Sequence, residues 1–266
     1  MRRVVTYVVL AFALSWAWWI PLAVAGVHVA PGQGWPSHLP GLLGPAIAAV
    51  VTTAVFDGRG GLRDLLRRIV RWRMRWYWWA LLAGTALMAA VPLITNPSAT
   101  AADYLTYSGA GQLGVFTILY VLVVNGFGEE IGWRGFLADT LLHRWSLGVT
   151  ALVVGAIWAL WHLPMFWVVD TFRDLGVGGT IGWVFGLLSG SVFLAWLYRG
   201  SGRSILLVAL WHTAFNFTTA TTAAAGVTAA VVSTVVMVVA GVILCFPSTW
   251  RRPVPEAAPQ RTDLRS

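Results

Sequence analysis

Apolar positions fall into eight long runs, separated by short polar or arginine-bearing segments. The runs cover roughly residues 4–26, 39–56, 76–95, 112–135, 147–169, 180–198, 204–222 and 227–246. Most approach the roughly 20 residues that an α-helix needs to cross a bilayer core. The pattern predicts an all-α polytopic membrane protein, with about eight transmembrane helices in one bundle spanning 1–246. Two segments break it. In 57–75, Leu62, Leu65, Leu66 and Ile69 recur at helical spacing, and Arg63, Arg67, Arg68 and Arg71 take other positions. That alternation predicts a basic amphipathic helix lying on a membrane surface. Segment 247–266 carries Pro247, Pro253, Pro255 and Pro259 among polar residues and reads as a disordered cytoplasmic tail.

Composition strengthens this picture. The chain is 58% apolar and 11% charged, with a mean hydropathy of +0.73, which places it among membrane proteins. The net charge is +8, and all 18 basic residues are arginine. With eight spans and an inner N-terminus, Arg173 alone falls outside, so both termini are placed in the cytoplasm. The positive charge is therefore assigned to cytoplasmic loops and anionic lipid rather than to nucleic acid. Arg2-Arg3, an apolar run and Ala23-Val24-Ala25 look like a cleavable leader. However, the run from Val4 to Ile20 is long, and Trp16, Trp18 and Trp19 read as interfacial anchors of a retained helix. Most other tryptophans are assigned the same anchoring role. The lone Cys245 excludes an internal disulfide. Residue usage points to a bacterial plasma membrane.

The chemistry concentrates in three spans. Glu129 and Glu130, two of only three glutamates, follow the apolar run Leu113–Gly128. A charge at a membrane helix centre costs about 2.5–3.5 kcal/mol on insertion scales, so an adjacent pair calls for a function. Arg134 stands four residues after Glu130, in the favourable order for an ion pair. Glu129 has no such local cation and shares a helical face with Asn125 and Trp133, which makes it the candidate general base. His162 lies in an apolar run, one turn after Trp158 and before Pro164, which should end or kink the helix. His212 and Asn216 are four apart on one face. Ala159-Leu160-Trp161-His162 recurs as Ala209-Leu210-Trp211-His212, placing two histidines in similar settings on parallel helices. One carboxylate, two imidazoles and a carboxamide could activate water and stabilise an oxyanion, which describes hydrolysis of an acyl bond. Glu129, His162 and His212 could instead hold a single divalent metal such as zinc, with an open fourth position. Alternatives are a proton-coupled transporter and a non-catalytic membrane scaffold or immunity protein.

The motifs resemble those of the CPBP family, which groups type II CAAX prenyl endopeptidases with bacteriocin-processing and abortive-infection-type proteins. Its motifs are two adjacent glutamates with an arginine four after the second, phenylalanine four before histidine, and histidine four before asparagine or aspartate. Glu129-Glu130-Arg134 and His212-Asn216 match, and Trp158 stands where the second motif has phenylalanine. The match covers 129–216. It implies an intramembrane endopeptidase acting on a membrane-embedded peptide or protein. Glu129 and His162 would work on a water, His212 and Asn216 would form the oxyanion site, and Glu130, Arg134 and Trp158 would support them. Both metal-dependent and metal-free versions are implied. Helix rise adds a requirement. For Glu129 to reach the depth of the histidines, the fourth span must run past Arg134 to about Leu142.

Overall fold

The computed structural model describes residues 1–73 and 76–251. Eight principal helices carry the fold. They are α1 (Arg2–Val24), α2 (Gly44–Ile69), α3 (Tyr77–Thr95), α4 (116–142), α5 (Leu147–Trp161), α6 (Gly176–Gly200), α7 (Ile205–Phe217) and α8 (Thr228–Cys245). Strands are absent among the described residues. Among the described residues, six segments are long and apolar enough to cross a membrane. The exceptions are α7, with 13 residues, and α4, which carries Glu129, Glu130, Arg134 and Asp139. The protein is an integral membrane protein.

Helix α4 extends to Leu142 as the depth argument requires. Two stretches, Leu122–Phe127 and Trp133–Ala138, are wound as π-helix. Such turns locally re-aim side chains and often mark functional positions. They flank the short α-helical stretch Gly128–Gly132 that carries both glutamates. Gly132 permits close approach of α1 and α2 here, because a Cβ would lie 2.5 Å from Tyr7 Oη and 2.5 Å from Pro45 Cβ.

Helix α2 bends at Gly58, whose φ of 61° suits glycine. Beyond the bend, 59–69 is helical as predicted, but its inward face differs. Leu65 is buried, Leu66 is exposed, and Arg68 is buried. Arg68 turns inward because acceptors await it: Gly135 O at 2.6 Å, Tyr198 Oη at 2.7 Å and the Asp139 carboxylate at 3.2 Å. Arg203 binds both Asp139 oxygens, at 2.6 and 2.7 Å. This network closes the arginine-rich end of the bundle. Met74 and Arg75, at the end of the predicted amphipathic segment, lie outside the described residues, as does 252–266 of the predicted tail. Residues 247–251 are ordered: Thr249 is buried, and Trp250 packs where a Cβ on Gly148 would meet its ring at 2.7 Å.

Several tryptophans are core residues rather than interface anchors. Trp19, Trp133 and Trp161 are fully buried. Trp19 Nε1 donates to His38 O at 2.7 Å, and Trp16 Nε1 donates to Trp161 O at 2.9 Å. Helix α1 is thereby tied to the segment leading into α2 and to the end of α5.

Candidate active site

Helices α4, α5 and α7 bring the predicted polar residues to one place. Glu129 and Glu130 are 2% and 0% exposed. Glu130 Oε1 accepts from Arg134 Nη1 at 2.8 Å, the predicted pair, and from His212 Nδ1 at 2.8 Å. Glu129 Oε2 accepts from the Trp158 indole N–H at 2.6 Å. Trp158 is central to the cluster. Arg134 lies over its ring at 4.4 Å from the centroid, and the rings of His162 and His212 stand 5.7 and 5.5 Å away. It therefore contributes a donor as well as the aromatic wall that phenylalanine would supply.

The two histidines occupy different settings despite the repeated tetrapeptide. Helix α5 ends at Trp161, before Pro164, and His162 caps it. His162 Nδ1 lies 2.7 Å from Trp158 O. A carbonyl only accepts, so Nδ1 carries the hydrogen and Nε2 is the bare nitrogen of the neutral ring. His212 sits inside α7 with Nδ1 on a carboxylate, so its Nδ1 also carries hydrogen. Its Nε2 donates only in the doubly protonated form.

Asn216 Nδ2 donates to Asn125 Oδ1, and Asn125 Nδ2 reaches Tyr107 Oη at 3.5 Å. Asn125 lies on the first π-wound stretch of α4. Its place on the Glu129 face was visible in the sequence, whereas its partnership with Asn216 required the fold. Trp133, predicted on that same face, instead packs against Tyr7 and Trp161.

Asn125, Glu129, Trp158, His162, His212 and Asn216 all line one cavity of about 690 Å³. Its walls are mostly apolar. Among the described residues, no three His, Cys, Asp or Glu side chains converge closely enough to hold a metal ion. Each of the three candidate ligands has one atom on a protein partner, as metal-ligating side chains commonly do, with His162 Nε2 and His212 Nε2 left over. As placed, Glu129, His162 and His212 do not form a closed three-ligand set.

Comparison with known proteins finds similarity over the same helices. Residues 110–218 match the family described as type II CAAX prenyl endopeptidase Rce1-like. The chain is also 22% identical over 187 residues to CAAX prenyl protease 2 of Methanococcus maripaludis, covering 67% of this chain and 69% of that protein. The family segment begins just before α4 and ends just past α7, so it contains every polar residue of the cluster except those contributed by 1–109, such as His38 and Tyr107. Over this segment the chain is similar to CAAX-type prenyl endopeptidases.

Proposed function

We propose that the protein hydrolyses a peptide bond of a membrane-associated peptide or protein, with Glu129 as general base. The observation that carries this reading is the shared cavity, where a buried carboxylate, two histidines and a pair of asparagines meet. A water held between Glu129 and the bare Nε2 of His162 loses its proton to Glu129 as its oxygen bonds to the scissile carbonyl carbon. Negative charge then develops on the carbonyl oxygen. The amide hydrogens of Asn216 and Asn125 are suitable donors to it, and so is His212 in its doubly protonated form. Collapse of the tetrahedral intermediate breaks the C–N bond, and Glu129 returns the proton to the leaving nitrogen.

Glu130 holds His212 from behind and fixes which nitrogen faces the cavity, while Arg134 neutralises that carboxylate. The substrate class follows from the walls: an extended peptide with apolar side chains suits a mostly apolar cavity with a few convergent polar groups. Anionic lipid is the proposed partner of the arginine-rich face.

The test is peptide cleavage by the purified protein in detergent, comparing the natural chain with Glu129→Gln and His212→Ala. Both substitutions should lower kcat by about 100- to 10,000-fold, the usual contribution of acid–base catalysis. Equal cleavage by all three would reject the assignment.

A further inference from the structure

We infer that the substrate is a peptide segment presented at the membrane face opposite the arginine-rich one, which is the extracytoplasmic face by the positive-inside rule. The inference deepens the proposed peptidase reading and rests on it.

Depth is the first argument. From Glu129 to the arginine-side end of α4 at Leu142, the helix rises at most about 20 Å at roughly 1.5 Å per residue. From Leu147 to His162 the rise is about 22 Å on the same basis. Helix α7 reaches this level differently, because it starts deep: Ile205 is fully buried, and its Cδ1 would lie 2.6 Å from a Cβ on Gly135. That start is about 10 Å in from Leu142, and His212 is about 10 Å further along. All three groups therefore sit about 20 Å from the arginine-rich end. Glu129 is the midpoint of 116–142, so the three groups share one level near the middle of the bundle and a single opening serves them all.

The cavity's direction is the second argument. The connecting residues that line it, His38, Tyr107, Ser108, Thr171 and Gly226 among them, belong to connections at the arginine-poor end. None comes from the Arg68–Asp139–Arg203 end. Helices α6 and α8 close together there through Val192, Ala195, Ala240 and Ile243. Farther out, Gly182 and Gly190 of the α6 wall have nothing within 4 Å of an added Cβ, which leaves room between the helices for a chain in extended form.

The third observation names the chemistry. His38 Nδ1 and Ser108 Oγ are buried on this wall and have no protein partner. Buried polar atoms without partners are costly. Both side chains line the cavity, and a turn of either toward it would give its buried atom a donor or an acceptor of a peptide backbone.

The experiment uses the full-length chain in a Cys245→Ala background, with either Thr171→Cys at the cavity's open end or Arg199→Cys at the other end. A membrane-impermeant maleimide is applied to right-side-out and inside-out vesicles of the expression host. Labelling of the detergent-solubilised protein confirms that each thiol is reactive. Thr171→Cys should label in right-side-out vesicles and lose labelling in inside-out ones, and Arg199→Cys should do the reverse. Quenched fluorescent casein, which does not cross a bilayer, should be cleaved by sealed right-side-out vesicles and not by sealed inside-out ones. Labelling of Thr171→Cys from the cytoplasmic face alone, or cleavage confined to inside-out vesicles, would overturn the inference. Loss of cleavage even in detergent would instead overturn the peptidase reading, while the thiols still report which face the cavity meets.

Discussion

His212 and Glu130 are separated by 82 residues of chain and meet at 2.8 Å, on the same carboxylate oxygen that receives Arg134. The carboxylate thus holds two groups at once, and Arg134 is fully buried behind it. Glu130→Ala should leave Arg134 buried without its anion, a change that costs about 3–5 kcal/mol in buried pairs. Thermal unfolding in detergent measures it. Glu130→Gln keeps the shape and should keep more of the fold while still lowering kcat, because an amide oxygen holds the His212 N–H and Arg134 more weakly than a carboxylate does. A Glu130→Ala protein that melts with the natural chain would remove this account.

Trp158→Phe isolates one hydrogen bond. The ring wall stays, and the 2.6 Å donor to Glu129 goes. Hydrogen bonds to charged groups contribute about 1.5–3 kcal/mol, so kcat should change by about 10- to 100-fold. KM should hold, since the ring that shapes the cavity remains. A rise in KM with kcat unchanged would mean that Trp158 acts on binding alone.

Asn125 and Asn216 form one unit in this site. Each alanine substitution should lower kcat, by about 10- to 1,000-fold for a lost oxyanion donor. The double variant should cost little more than either single one, because groups in direct contact do not add. Full additivity, measured as a double-mutant cycle on kcat/KM, would show that the two asparagines act separately.

The donor geometry also sets an expectation for metal removal. With no converging set of three ligands among the described residues, cleavage should survive dialysis against a chelator. Metal analysis of the dialysed protein reads the outcome alongside activity. Loss of cleavage that added zinc restores would favour a metal centre built by rearrangement of Glu129, His162 and His212.

Gly132 offers a packing test. A methyl there would press on Tyr7 and Pro45 at 2.5 Å, in a region held by the α4 backbone on one side and α1 and α2 on the other. Gly132→Ala should destabilise by about 1–3 kcal/mol, the usual effect of overpacking. A melting temperature in detergent equal to that of the natural chain would show that α1 moves freely to make room.

Much of the architecture was legible from hydropathy alone, because bilayer thickness imposes segment length on any chain that crosses it. The ion pair of Glu130 with Arg134 was legible too, since it is local in the helix. What the sequence did not reveal depends on distant groups. Arg68 looked like a surface residue until Asp139 and Tyr198 arrived from other helices to receive it. Trp158 read as a wall, because nothing local says that its N–H will find Glu129. The tetrapeptide echo suggested matched histidines, but Pro164 ends α5 while α7 continues past His212, so identical neighbours gave different surroundings. Asn125 and Tyr107 acquire meaning only beside Asn216.

The deep start of α7 has one more effect. With Ile205 wedged against Gly135 and Arg203 clamped on Asp139, the reaction chamber has a floor at that end. Fragments must therefore leave on the arginine-poor side, where the intact chain arrives. Turnover should then be governed by how fast the cut ends clear the doorway, and short products should compete with fresh substrate for it.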